Sequence, residues 1–335
     1  MFKPKVSIII PVYNGSNYMH EAIDSALNQT YENIEVIVVN DGSNDNGKTA
    51  QIAKSYGNKI RYFSKENGGV STALNLGIRM MTGEYVSWLS HDDVYYPEKI
   101  EKQIEFLRNE PDKNIIVHCD FDVIDSKSNI IGEYRIKDTD TDKFRYALIT
   151  GGPIHGCTPL IPKLCFDEVG LFNEELRTVQ DKDMWFRISE KFKFKHIPDK
   201  LIKSRSHPEQ GIKTLIGMHS SEREKLYLSF LEKLTFDELL YTAIYQAMTH
   251  YFRYKLKLSQ KLKKLFSIVL LYFVKTIMPK SVLERLYYRM QLKSSRFYNW
   301  ATINHSVFSI ILILFIKSFI PGKILNKLYN KKSVI

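Results

Sequence analysis

Cysteine is scarce in this chain. Cys119, Cys157 and Cys165 are the only three among 335 residues, and no two share Cys-x-x-Cys spacing. The spacing points neither to a zinc site nor to a disulfide frame, and it fits a reducing, cytoplasmic compartment. Two glycine patterns are missing as well. No Gly-x-Gly-x-x-Gly follows the first apolar run, and no Gly-x-x-x-x-Gly-Lys-Ser/Thr occurs. A dinucleotide fingerprint and a phosphate loop are thereby excluded. The opening Met-Phe-Lys-Pro-Lys runs straight into apolar residues 6–10, too short and wrongly flanked for a signal peptide. The apolar runs 265–274 and 307–316 fall short of the roughly 20 residues a spanning helix needs, although extending the second through His305 and Lys317 approaches that length and leaves a span open beside an interfacial helix. Acid is scarce in the last third, where Glu284 is the only carboxylate side chain from Leu239 onward.

That last shortage explains the net charge of +11. Residues 1–210 hold 27 basic and 31 acidic side chains, whereas residues 211–335 hold 21 and 6. The first part is mildly acidic and the tail strongly basic. Such asymmetry implies an anionic partner for the tail alone. With 44% hydrophobic and 25% charged residues, the chain is globular and long enough for one large domain plus an appendage.

The first hundred residues alternate apolar runs with helical spacing. Runs at 6–10, 34–39, 60–63 and 85–89 predict strands. Helices are predicted over 18–28, 49–56 and 71–81, the first with Ala22, Ile23, Ala26 and Leu27 as its apolar stripe. Near-continuous apolar strands separated by helices imply a mostly parallel sheet covered on both faces. The second half reads as more mixed. It has a helix over 98–108, opened by Pro97 at its first position, and a strand or strand pair over 115–123. A hairpin arm over 129–137, a helix over 143–149, an extended run over 154–161, a helix carrying residues 180–187 and a strand over 194–197 follow.

Polar residues gather where the strands stop: Tyr13 and Asn14, then Asp41 and Ser43, then Asp92 and Asp93. Right-handed crossovers bring these ends to one edge of the sheet, where open α/β sheets bind ligands. Adjacent carboxylates repel, and burying both is costly unless they share a cation. Asp92-Asp93 therefore reads either as a seat for a hard divalent metal completed by phosphate oxygens, or as a solvated turn capping the next helix. Taken alone, the dipeptide does not separate these readings.

The ordered set of motifs does more. Val6-Ser7-Ile8-Ile9-Ile10-Pro11-Val12-Tyr13-Asn14, Asn40-Asp41-Gly42-Ser43, Asn67-Gly68-Gly69 with Ala73-Leu74-Asn75, Ser90-His91-Asp92-Asp93, Gln180-Asp181 with Asp183 and Trp185, and Arg205-Ser206-His207 occur in that order. Together they resemble glycosyltransferase family 2, of the GT-A fold. The resemblance implies an inverting transfer from a nucleoside-diphosphate sugar to an acceptor hydroxyl. It implies nucleotide-sugar contacts from Pro11, Tyr13, Asn14, Asp41, Ser43, Asn67, Gly68, Asp92 and Arg205. Asp93, Asp92 and His207 would hold Mn²⁺ or Mg²⁺. Asp181 would be the catalytic base, with Asp183 and Trp185 near the acceptor. Three positions depart from the pattern: Ser90 and Gln180 replace acids, and Leu74 replaces an Arg.

In such a reaction the anomeric carbon gains oxocarbenium character. The leaving diphosphate needs a Lewis acid and the acceptor hydroxyl a base. A sugar-nucleotide pyrophosphorylase is the rival enzyme, but its triphosphate needs a basic glycine-rich loop, and residues 11–16 hold no Lys or Arg. A non-catalytic protein binding nucleic acid or another anionic surface is the rival of a different class. The tail's charge accompanies apolar runs rather than an aromatic platform or groove-reading motif, so no nucleic acid is expected.

The expected organisation is a transferase domain over 1–215 and a basic, amphipathic helical region over 216–335 that associates with a membrane or binds the acceptor. In the latter, Lys257, Lys261 and Lys264 lie on one helical face and Leu258, Leu262, Leu265 and Val269 on another, the pattern of an interfacial helix. The expected partners are a nucleoside-diphosphate sugar, a glycan or lipid-linked acceptor, and an anionic membrane surface. The expected location is cytoplasmic, peripheral on the inner face of the plasma membrane.

Overall fold

A computed structural model describes residues 2–136, 144–150, 154–233 and 235. Residues up to Leu226 form one compact unit, and Tyr227 begins a second, most of which lies outside the described residues. The basic helix around Lys257 and both apolar runs of the tail also lie outside them.

The elements in order are β1 (Val6–Val12), α1 (Met19–Leu27), β2 (Ile34–Asp41), α2 (Lys48–Ser55), β3 (Arg61–Lys65), α3 (Val70–Met80), β4 (Tyr85–Trp88), β5 (Val94–Tyr95), α4 (Lys99–Asn109), β6 (Ile116–Ile124), β7 (Ile130–Tyr134), α5 (Phe144–Thr150), β8 (Leu160–Pro162), α6 (Lys163–Val169), α7 (Gln180–Ile188), β9 (Phe194–Arg205), α8 (Gly211–Thr214) and α9 (Ile216–Lys233). They build a sheet of order β3-β2-β1-β4-β8-β6-β9-β5, with β7 paired to β6.

The first half is the parallel sheet that the apolar runs predict. β1 is buried along its whole length because it is covered above and below. It pairs in parallel with β2, from Val6 opposite Ile34 to Val12 opposite Asn40, and with β4, Ile9 lying opposite Trp88. β3 extends the parallel set beyond β2. Helix α3 lies so close to β1 that a Cβ on Gly77 would come within 2.4 Å of Ile9 Cγ2. Only glycine permits that approach.

The second half is mixed. β6 and β9 are parallel, while β8 runs antiparallel to both β4 and β6 and β5 antiparallel to β9. Here the sequence expectations need correcting. The extended run 154–161 contributes only β8, and α6 follows at once. Pro97 lies before α4, whose cap is Glu98. The strand expected to stop at residue 197 continues to Arg205. It bulges at Pro198 and Asp199, so that Ile197 faces Cys119 and Lys200 faces Asp120. β9 therefore ends at the same edge as the first four strands, bringing Arg205 and His207 to the acidic pair.

Among the described residues, no helix is long and apolar enough to cross a membrane.

Candidate active site

At the end of β2, Asp41 is buried and its carboxylate organises the neighbouring loop. Its Oδ1 accepts from Lys65 Nζ at 2.7 Å, the Gly68 N–H at 3.0 Å and Thr72 Oγ1 at 3.3 Å. Its Oδ2 accepts from the Gly69 N–H at 2.7 Å, and its main-chain oxygen from Asn67 Nδ2 at 2.9 Å. A carboxylate has about four lone-pair sites, so Oδ2 keeps one for a further donor. Gly42 makes this possible: its φ is +69°, and a Cβ there would lie 2.5 Å from the Asn67 nitrogen.

Beyond β1 the turn is held by a reciprocal amide pair. Asn14 Nδ2 donates to Asn44 Oδ1 at 2.7 Å, and the Asn44 N–H donates to Asn14 Oδ1 at 2.9 Å. The Asn14 N–H reaches Ser43 Oγ at 2.9 Å. This network holds Asn14 at φ 49°, the left-handed region that asparagine tolerates better than most residues. Tyr13 stays 43% exposed at the rim. Pro11 is a buried strand residue opposite Val39, shaping the turn from within.

The acidic pair follows β4. Asp93 is buried; its Oδ1 accepts from the Arg205 N–H at 2.8 Å and its Oδ2 from Cys157 Sγ at 3.3 Å. Burial first, and the Asp92 carboxylate second, push it up to about 7, against those hydrogen bonds. Asp92 Oδ2 meets His207 Nε2 at 2.9 Å, and the imidazole packs 5.1 Å from the Tyr18 ring. A buried carboxyl with so high a proton affinity, beside a second carboxylate, is a group whose charge a cation would compensate. Among the described residues, the ligand atoms that lie within 4.8 Å of one another are those of Asp93, His155 and Cys157, a set that includes neither Asp92 nor His207.

Arg205 is placed differently from the expectation that it contacts the nucleotide sugar. Its side chain is fully buried and its donors turn inward. Nε gives to the Asp92 main-chain oxygen at 2.8 Å, one terminal nitrogen to the Asp125 oxygen at 3.2 Å and Ser128 Oγ at 2.9 Å, and the other to Glu21 at 2.9 Å. The guanidinium sits 4.4 Å over the Tyr18 ring. It clamps α1 and the loop after β6 to the acidic turn.

Asp181 and Asp183 both stand in the first turn of α7, and their surroundings separate them. Asp183 is paired with Arg187 one turn on, at 2.7 Å. Arg187 also grips the main-chain oxygens of Val169 and Leu171, at 2.7 and 3.0 Å. Asp181 accepts from the Lys182 N–H at 2.8 Å. Burial pushes its carboxyl above the usual range, and the positive charge of Lys182 and then His155 work against that. Trp185 is a core residue, 1% exposed and packed edge-on to Phe172.

Two residues here escape sequence reasoning. The His155 ring packs tilted against Phe121, 4.8 Å between centroids, and its Nε2 lies 3.2 Å from Ser204 Oγ. Burial holds it below the usual imidazole range, against the charges of Asp181 and Asp92. Cys157 touches Asp93. The signal was His155-Gly-Cys157 just after a Gly-Gly-Pro break. A third, Lys99, is buried between Ser87 Oγ at 2.8 Å and Gln103 Oε1 at 2.9 Å, and burial lowers it to about 8. It braces α4 against β4.

Strand ends carrying Asp41, Asp92 and Asp93, on a sheet parallel in its first half and mixed in its second, make this a fold of the GT-A class. Residues 7–164 match the family described as Glycosyl transferase family 2. A glycosyltransferase of Rickettsia typhi is 50% identical over 75% of this chain and 78% of its own length. The chain belongs to glycosyltransferase family 2. A Rickettsia felis glycosyltransferase is 52% identical over 72% of this chain. The chain spans about two fifths or less of the length of that relative and of the Rickettsia bellii and Rickettsia conorii relatives. Chondroitin synthase of Pasteurella multocida is 36% identical over 58% of the chain and 20% of its own length. Among solved structures, S. aureus TarS residues 1–349 in complex with UDP shares the fold, with a TM-score of 0.57 at 16% identity, covering 90% of this chain and 88% of that one.

Proposed function

We propose that this glycosyltransferase moves a sugar from a nucleoside diphosphate to a hydroxyl of a glycan or lipid-linked acceptor, with inversion, in the building of a cell-surface polysaccharide or glycolipid. The observation that carries this reading is the buried Asp93 carboxyl beside Asp92, at the edge where Asp41 also lies. Asp41 keeps a lone-pair site on Oδ2 for a base N–H, while Asn67, Gly68 and Ser43 form the rim around it. Asp93, Asp92 and His207 would hold Mn²⁺ or Mg²⁺, which, when bound, neutralises charge on the leaving diphosphate. Asp181 accepts the acceptor's proton. Its raised proton affinity moves it toward the working pH, where a base is most effective. Attack by the deprotonating hydroxyl opposite the leaving group inverts the anomeric centre.

TarS has been solved with UDP and with UDP-GlcNAc, so uridine diphosphate sugars are the first to test. The transfer unit takes in residues 1–215. The basic region after it attaches the protein peripherally to the cytoplasmic face of an anionic membrane, each basic residue near the surface contributing about 1 kcal/mol. Incubation with uridine, guanosine and thymidine diphosphate sugars, metal and candidate acceptors should release diphosphate and yield a glycosylated product. Thermal stabilisation by one nucleotide in a metal-dependent way identifies the donor. If no nucleotide sugar stabilises or reacts, the proposal fails. If the full chain ignores anionic vesicles at moderate salt, the membrane attachment fails separately.

A further inference from the structure

The sulfur of Cys157 lies against the acidic pair, and the reaction above makes no use of it. Its S–H donates to Asp93 Oδ2 at 3.3 Å, and the sulfur accepts from the Ser90 N–H at 3.3 Å, with Ser90 Oγ 3.2 Å away. A ring nitrogen of His155, a carboxylate oxygen of Asp93 and this sulfur all lie within 4.8 Å of one another. Among the described residues, neither Cys119 nor Cys165 belongs to such a set.

The three groups are also held in place. Asp93 and Cys157 are 4% and 1% exposed. The Cys157 N–H donates to His155 Nδ1 at 3.3 Å. The His155 main-chain oxygen accepts from the Thr158 N–H at 3.0 Å and its hydroxyl at 2.7 Å. The His-x-Cys turn is thereby fixed beside the end of β4.

Their spacing suits a tetrahedral ion. A metal about 2.3 Å from sulfur and about 2.0 Å from a carboxylate oxygen places those two atoms about 3.5 Å apart. The observed 3.3 Å is close to that already. One thiolate, one imidazole and one carboxylate are the donors of a borderline-soft cation rather than of Mg²⁺. We propose that Asp93, His155 and Cys157 form a Zn²⁺ site, different in donor chemistry from the oxygen-rich cation position at Asp92 and Asp93, and sharing Asp93 with it. The site does not depend on which sugar is transferred, or on whether transfer occurs.

Co²⁺ serves as the probe, on the purified full chain. Stoichiometric Co²⁺ should produce a near-ultraviolet thiolate-to-cobalt charge-transfer band. Zn²⁺ should bleach that band. Cys157→Ser should abolish it, while Cys119→Ser and Cys165→Ser keep it. A missing band in the folded wild-type protein, or one that survives Cys157→Ser, overturns the proposal. Should Cys157→Ser not fold, alkylation of the wild type decides. At free Zn²⁺ ten times its Kd, modification of Cys157 mapped by peptide mass should slow about tenfold. An unchanged rate refutes the site.

Discussion

Replacing Asp181 and Asp183 singly with Asn separates chemistry from scaffolding within one helical turn. Asn keeps the shape of Asp but takes no proton. If Asp181 is the base, Asp181→Asn removes about 10²–10⁴-fold from turnover, the usual worth of a positioned base. Nucleotide-sugar affinity stays within about twofold, because Asp41 and the acidic pair lie on other elements. Asp183→Asn has a different effect. The Asp183–Arg187 pair is mostly screened from water, with side-chain exposures of 14% and 19%. Removing the carboxylate leaves a guanidinium that still bonds the main-chain oxygens of Val169 and Leu171. A wholly buried pair broken on one side costs about 3–5 kcal/mol. The remaining partners and partial solvation bring this one to about 2 kcal/mol. Single-turnover transfer at saturating donor and acceptor reads the first effect, and urea denaturation the second. The pH profile adds a sign. Because burial raises Asp181, the wild-type rate should climb with pH through a value above the usual carboxyl range, and Asp181→Asn should lose that limb. A folded Asp183→Asn that is inert, beside an active Asp181→Asn, refutes the assignment.

Asp93→Asn should abolish metal-dependent nucleotide binding, measured by calorimetry with and without chelator. In the wild type, with Asp93 up at about 7, protons compete below that value. Cation affinity should therefore fall as pH drops below 7, by about fivefold from 7 to 6 and approaching tenfold per unit below that, and a flat affinity across pH 8 to 5.5 contradicts the burial argument. Glu35 runs the opposite way. Burial raises it, but hydrogen bonds from Ser7, the Thr82 main chain and Arg61 outweigh that and take it from 4.5 to about 2. The stability this gives is present above pH 4.5 and is lost as pH falls toward 2. Glu35→Gln should cost about 2–3 kcal/mol at pH 7 and almost nothing near pH 2 by denaturant titration. Gly42→Ala, forced to φ +69° with its Cβ against Asn67, should weaken nucleotide binding at least about tenfold while the fold survives, as strain of about 1–3 kcal/mol at one turn implies. Unchanged affinity there would mean the Asp41 loop does not shape the nucleotide rim.

The first half of the sheet was legible because each strand is a short apolar run followed by its own helix, so local pattern and long-range pairing agree. The second half was not. In β9 the segment Ile197-Pro198-Asp199-Lys200 looks like a strand end, and only β6 on one side and β5 on the other show that it is a bulge. β5 itself has two residues, too few to leave a period. The acidic pair and the strand-end clustering followed from sequence, since crossover handedness fixes them. The inward turn of Arg205 did not, because its partner Glu21 lies 184 residues away on α1. His155 and Cys157 carried no periodic signal, since a loop between a helix and a short strand brings them in. Asp181 and Asp183 were indistinguishable in sequence, and Arg187 separates them only once its hold on the end of α6 is seen.

The contacts that fix the acidic turn are among the longest-range in the chain. The Arg205 N–H reaches Asp93 across 112 residues, and His207 reaches Asp92 across 115. Closing such loops has to wait until strands from both halves have paired, and contacts of high sequence separation form late in folding. The parallel strands β1 to β4 can assemble from neighbouring segments, but the two carboxylates stay unbraced until β9 has crossed the sheet and docked. During synthesis or refolding, the catalytic edge is therefore completed last. A half-made chain with its parallel strands in place holds its acidic turn open until β9 brings the Arg205 N–H and His207 to the two carboxylates.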